Sequence, residues 1–468
     1  MKARKILFLM FLLALGASVE TAWRIRAHIE FGPLGWRVLG GRFYGPSFTF
    51  EEDKVETIPA GGTVAVTNEF GEVRVSRGDG QEVRIHLRKV VYLPTDGAAR
   101  ALAERVKLVA DADGSTLRLS TNRGDLERDG ALAEAGLETH FAVTVPPGIA
   151  VRVKNDHGRI GVADVARADV DGSFEPITVD RVDGDATVQG RHGDIQVSSL
   201  GGSLTLSGRH GDVEVRDAVG RVSLDVEHAD NIKLARVGGL TLSVKHGDVE
   251  AQTVRGSAEI KGEHSAVKLV GVDGGAHVDT SFDNVHLTDV AGDAEVKTEH
   301  GAIEASKIKG AVRAEASFDG VTLAEIGGHA EVKVDHGGVQ ARGLAKGATI
   351  QATGDDVTLE RFHGSVRIEA RRGSVHVTPR GPLADPLSVT AEHGTITLQV
   401  DPASRFDLSA TARPGNIDVR LTDFVATEKS ASKATGRVGG GGAAVVLEVE
   451  HGDVTVEGRE AEETAKEN

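Results

Sequence analysis

The chain contains no cysteine, which excludes disulfides, thiolate metal sites, a cysteine nucleophile and a lipidated N-terminal cysteine. Aromatic residues make up only 4%, with two Trp and two Tyr, whereas compact cores usually lean on large rings. Val, Ile, Leu and Ala must then fill the interior, which suits a narrow core. Positive charge is also in deficit. Basic side chains number 54 against 70 acidic ones, a formal charge of −16, so nucleic acid is not an expected partner. Dispersed negative charge favours solubility and is silent about fold. Only one apolar run is long, residues 6–15, and it falls short of the ~20 residues that span a bilayer.

Lys2, Arg4 and Lys5 precede that run and Gly16, Ala17 and Ser18 follow it, the order of a secretory signal. Residues 1–22 are read as a signal peptide or an uncleaved membrane anchor, and either one takes the chain out of the cytoplasm. Residues 23–50 form an aromatic and basic linker that includes Trp23, Arg24, Trp36, Arg37 and Tyr44. A segment lying on a membrane surface is the other reading, because Trp and Tyr favour headgroup depth. Residues 51–150 alternate as strands, with one short helical pattern over 98–108 and Asp96 as its cap. They are expected to form a β-rich cap that keeps the first coil from edge pairing.

Residues 151–424 repeat themselves. Turn residues fall at Phe174, His192, His210, His228, His246, His264, Phe282, His300, Phe318, His336, Gly354 and Arg372, every step being 18 residues. Spacing this regular identifies a repeat architecture. Counted from each turn residue, apolar side chains recur at plus 3, 5, 8, 12, 14 and 16. In one coil they are Val321, Leu323, Ile326, Ala330, Val332 and Val334. Steps of two within each cluster are strand periodicity, and the Gly or polar residues between clusters mark corners. One coil slips at Asn231 and regains phase by Leu240, as a compensated bulge does. After Arg372 the spacing lengthens to 21, reaching His393 and then Pro414. Residues 425–442 read as a Gly/Ser-rich loop, 443–458 as terminal strands and 459–468 as an acidic disordered tail. The expected fold is all-β: a β-solenoid (β-helix) of 18-residue coils with an N-terminal β-rich cap containing one short helix.

The segment 141–148, FAVTVPPG, followed by Val151-Arg152-Val153 and Gly158-Arg159-Ile160, resembles a bacterial β-strand-repeat family of candidate adhesins, of the domain of unknown function 4097 type. The turns Gly193-Asp194-Ile195 and Gly211-Asp212-Val213 carry the resemblance too. It extends over roughly residues 55 to 458, and it implies a β-solenoid in an envelope or surface setting, with no catalytic residues to carry over.

The histidine column is the first candidate for chemistry. His192, His210, His228 and His246, with Asp194, Asp212, Asp230 and Asp248 two residues on, could supply nitrogen and oxygen ligands to a metal ion. Phe282 and Phe318 occupy the same column, however, so the position asks for a flat ring at a corner, and a structural ladder is the preferred reading. The glycines after the rings, such as Gly193 and Gly211, are taken as turn residues tolerating positive φ. At plus 15, Lys261, Asp279, Lys297, Glu315 and Lys333 alternate in sign, a pattern that fixes register. No phosphate loop, zinc-protease helix or nucleophile elbow appears, so no catalytic residue, metal or cofactor is assigned. The expected role is an exported, non-catalytic adhesin or envelope scaffold with a glycan or protein partner, or with self-association. Membrane contact would run through the N-terminus. A carbohydrate-active β-helix enzyme acting on polysaccharide is the alternative, and it needs carboxylates converging in one cleft.

Overall fold

The structure, a computed structural model, describes residues 46–459 and the backbone of a short antiparallel pair, Arg37–Leu39 with Arg42–Tyr44. The expected signal or anchor at 1–22, most of the linker and the acidic tail from residue 460 lie outside the described residues. The chain divides into two compact units, the first ending at Ala166 and the second beginning at Arg167.

In the N-terminal unit, Ser47–Thr57 pairs antiparallel with Glu82–Tyr92 along its whole length. Residues 47–50, expected to be linker, are therefore strand. Phe48 and Phe50 turn one face of it toward a buried cluster. Glu82–Tyr92 also pairs with Gly136–Val145. Helix α1, Asp96–Arg105, packs Ala99, Leu102 and Ala103 into that cluster beside Val91 and Leu137. Its cap is Thr95, whose hydroxyl accepts from the Ala98 amide at 3.4 Å. Asp96 is instead the acid of the first turn, favourable beside the positive end of the helix dipole. A second helix, α2 at Arg123–Arg128, was not expected. It is short and buries only Leu126, too little chain for an apolar period to show. Ala150–His157 and Ile160–Val165 pair in parallel with Thr63–Phe70 and Val73–Arg77, so this first coil-like pair belongs to the N-terminal unit. The boundary thus falls after Ala166 and not at 150, where the sequence pattern placed it.

In the C-terminal unit most coils contribute two short strands, which run on as one in Val213–Glu227 and Asn231–Lys245, and the coil strands pair in parallel with their counterparts in the next coil. Val285–Val290 aligns with Ile303–Ile308, and Ala294–Thr298 with Val312–Ala316. The six apolar positions of the coil after Phe318 are each no more than 1% exposed. Each aliphatic therefore lies against the same position of the next coil, as Leu269, Leu287, Ala305 and Leu323 do. Such burial is worth about 1.5–3 kcal/mol per Val or Leu side chain, and the narrow interior leaves no room that would require aromatic bulk. The slip at Asn231 is visible as a register change. Val213 aligns with Ile232 where the regular repeat would bring Asn231, and Ile232 aligns with Val249 where it would bring Glu250. The two shifts cancel, and the pairing of Val222 with Leu240 is regular again.

The end of the unit departs from the expected order. Residues 425–442, expected to be a loop, are largely taken up by the strands Phe424–Lys429 and Lys433–Val438, which pair antiparallel with each other. Lys433–Val438 also pairs with Phe406–Ala412. Small residues hid the alternation, since the buried positions are Ala434, Gly436 and Val438. Ala443–His451 then inserts between Leu387–His393 and Phe406–Ala412, in parallel with both. The spatial neighbour of His393 is consequently His451 and not Pro414.

Candidate functional site

The corner column is a continuous stack of rings. From Phe174 through His192, His210, His228, His246, His264, Phe282, His300 and Phe318 to His336, successive centroids lie 4.3–5.3 Å apart with interplanar angles of 3–22°. The spacing is that of the strand ladder beneath. Phe174, Phe282 and Phe318 are 51%, 46% and 52% exposed, so the ring edges face solvent while neighbouring rings cover the faces. His300 Nδ1, between two phenylalanines, is buried without a hydrogen-bond partner among the described atoms.

The turn chemistry differs from expectation. His210, His228, His246 and His264 themselves take the left-handed conformation, with φ of 56°, 57°, 61° and 53°. Histidine is among the residues that visit this region more readily, and the cost of ~1–2 kcal/mol is of the same order as one ring pair contributes. The following glycine answers to close approach. A Cβ at Gly211 would stand 2.3 Å from the carbonyl oxygen of Gly193 in the preceding coil.

Two of the four aspartates beside the rings, Asp194 and Asp212, engage the backbone through their side chains. Asp194 Oδ1 accepts from the Asp212 amide at 3.1 Å, and Asp212 Oδ1 from the Asn231 amide at 2.9 Å. Asn284 and Asp356 do the same for Ala302 and Ser374. These acceptors satisfy an amide at four of the corners, whereas the Asp248 amide donates to the Asp230 carbonyl oxygen at 3.2 Å. Stacked imidazoles hold their lone pairs in parallel planes about 5 Å apart, whereas one ion needs nitrogens converging at ~2.0–2.1 Å. Among the described residues no three His, Asp or Glu side chains converge as a metal site.

On the flat faces the plus-15 column is in register from Lys261 through Asp279, Lys297 and Glu315 to Lys333. Other columns make direct pairs. Lys268 Nζ lies 3.1 Å from Glu250 Oε1, His286 3.0 Å from Glu304 and Arg313 3.2 Å from Glu331. The Lys268 ammonium, aided by Gln252, holds the Glu250 carboxyl below the usual carboxylate range. Arg236 does so for Asp217, through hydrogen bonds of 2.5 and 2.8 Å. These groups sit at the surface, and their pairs add modest, salt-sensitive stability.

The described cavities are shallow grooves on the C-terminal unit. One, of about 400 Å³, runs between Thr187, Ser207, Ser223, Asp225, Ser243 and Lys261. Another, of about 520 Å³, is lined by Ser317, Phe318, Asp335, His336, Thr353, Gly354, Arg371 and Arg372. Sequence spacing located the ring column but not this second groove. The signal was present as the two ringless positions, Gly354 and Arg372, after ten rings.

Residues 231–457 match the model of the Toastrack DUF4097 family, which bears out the resemblance read from the sequence. The match covers just under half of the chain, and the motifs between 141 and 213 that suggested it lie outside the matched segment. No curated protein sequence matches significantly. Three solved structures resemble the chain. A candidate cell adhesion protein from Clostridium sporogenes has 8% identity and a TM-score of 0.16, over 88% of this chain and 100% of its own. A candidate adhesin from Parabacteroides distasonis has 11% identity and a TM-score of 0.19, over 70% of this chain and 97% of its own. One from Parabacteroides merdae has 9% identity and a TM-score of 0.15, over 70% of this chain and 95% of its own. TM-scores this low do not establish a common architecture, so the β-solenoid rests on the strand ladders.

Proposed function

We propose that the protein is an exported, non-catalytic β-solenoid whose coils present a repeating surface for adhesion or envelope scaffolding. The observation that carries this reading is the ring column. Three phenylalanines about half exposed stand along one corner, within a stack otherwise made of histidines, and an exposed apolar patch with a polar rim marks an interaction surface. The family match and the adhesin names of the similar structures agree with it. Several outward carboxylates support it as well, since Asp194 and Asp212 beside the rings cap backbone amides and Glu250 and Glu304 on the faces pair with Lys268 and His286. The partner would be a glycan or protein of the envelope or of an opposing surface, with self-association along the same column as the other route. Residues 1–22 would serve as leader or anchor.

The full chain, displayed on beads, is expected to be retained by isolated envelope fractions or whole cells. Replacing Phe174, Phe282 and Phe318 by Ser should reduce retention several-fold, on the scale of losing buried apolar area. A glycan-cleavage screen that turned positive, and was silenced by changing one carboxylate, would replace this reading with the polysaccharide enzyme. Mass spectrometry of the mature N-terminus distinguishes a freed chain from an anchored one.

A further inference from the structure

The ring stack ends at His336, but the corner it follows does not. Val334 aligns with Ala352, Ala352 with Ala370 and Ala370 with Ala391, so the column continues through Gly354 and Arg372 to His393. There stacking resumes, His393 on His451 at 4.8 Å. Three inter-coil steps, about 14 Å at the ladder spacing, separate the His336 ring position from that of His393. Elsewhere in the column each step holds one flat group. Two positions here carry no ring, and Arg372 can supply a planar guanidinium at one of them. At the other, Gly354 presses its backbone on the preceding coil, because a Cβ there would stand 2.5 Å from the Gly337 nitrogen. The 520 Å³ groove opens at this place, with His336 and Arg372 among its walls.

The geometry points to a binding slot for one flat, electron-rich aromatic ring, an indole or phenol group of a partner, inserted at the Gly354 position. His336 offers one imidazole face, since its other face is covered by Phe318 at 5.3 Å. Arg372 offers a guanidinium, which favours the electron-rich face of an indole or phenol ring. Among the described residues no side-chain ion pair or hydrogen bond engages Arg372, whereas Arg371 is paired with Glu392 at 3.4 Å. Asp335, Ser317 and Thr353 at the rim can accept from the ring's N–H or O–H, the polar handle that Trp and Tyr rings carry. A sugar or a saturated side chain lacks the thinness and the π-face for this place. The slot is independent of the surface reading above, because a chain that attaches to no cell can still hold a ring here.

The test uses the full chain and ring-fluorinated N-acetyltryptophanamide, followed by fluorine NMR line broadening. Saturable broadening is expected, with no competition from N-acetylleucinamide. Arg372→Gln and His336→Ala should each weaken binding about tenfold, the scale of one desolvated cation–π contact. His246→Ala, in the middle of the stack, should leave it unchanged. Arg372 is exposed, so Arg372→Gln tests the slot even if His336→Ala disturbs folding. Absence of saturable broadening, equal binding by Arg372→Gln, or equal loss in His246→Ala would each overturn the slot.

Discussion

The two units solve the same problem, burying a β-sheet, by opposite means. The C-terminal unit repeats one solution: aliphatics of adjacent coils lie in register, and a ring stacks at one corner, where side-chain acceptors beside several of the rings cap backbone amides. The N-terminal unit stacks one ring pair, Phe70 on His157 at 4.6 Å, and otherwise relies on contacts particular to their place. There Lys89, only 7% exposed, donates to the carbonyl oxygens of Ala103 and Val106 at 3.3 and 2.6 Å and pairs with Glu52 at 2.6 Å, closing the end of α1. The Thr139 hydroxyl donates to Asn68 Oδ1 at 2.7 Å, and Arg123 lies over the Phe70 ring at 4.4 Å. The difference teaches that repetition spreads stability evenly, while a unique cap concentrates it in a few polar contacts.

That contrast can be broken by substitution. Leu269, Leu287 and Leu323 occupy equivalent positions and are at most 1% exposed. Each, changed to Ala, should lose about 3 kcal/mol, and urea unfolding should place the three within about 1 kcal/mol of one another. A spread much larger than that would show that the coils are not energetically equivalent. In the N-terminal unit, Lys89→Met should cost about 2 kcal/mol, because it leaves two carbonyls and a carboxylate without their donor. Unlike the leucine changes, it should leave the ring column intact, and thermal unfolding with hydrogen exchange of α1 would localise the loss. A variant that protected α1 as well as wild type does would contradict the role given to Lys89.

The smallest effect concerns acid. The Asp217 and Glu250 carboxyls are held below their ordinary range, Asp217 by Arg236 and Glu250 by Lys268. A folded-state pKa below the unfolded one gives stability that is complete above the unfolded value and lost as pH falls through the folded one. The coils should therefore soften slightly as pH drops through and below the carboxylate range. Asp217→Asn should flatten part of that slope, measured as melting temperature against pH at low salt, and an unchanged slope would remove Asp217 from the account.

The coils were legible because their signals recur. One apolar phase, read many times over, outweighs any ambiguous residue, and even the slip at Asn231 could be placed by where phase was regained. The ring column was legible for the same reason, since Phe and His alternate at one position and share only flatness. What escaped had no repetition behind it. Helix α2 was too short to show a period, and the strands at 424–429 and 433–438 were masked by Ser, Gly and Lys. The final strand order could not be read because a fixed repeat count assumes that neighbours in sequence are neighbours in space. The glycines after five of the rings looked like a positive-φ requirement; Gly301 meets it with φ of 155°, but at Gly193, Gly211, Gly247 and Gly337 the close approach of stacked backbones, which sequence does not display, accounts for the glycine.

By itself the sequence determined a narrow aliphatic interior, the two-strand coil and the corner occupied by rings, because local periodicity and side-chain size dictate those. Only the tertiary structure decided that four histidines would carry the left-handed turn, that the last strands would insert out of order, and that a groove would open where the rings stop. These depend on contacts between residues many positions apart, whose distances are set when the coils stack.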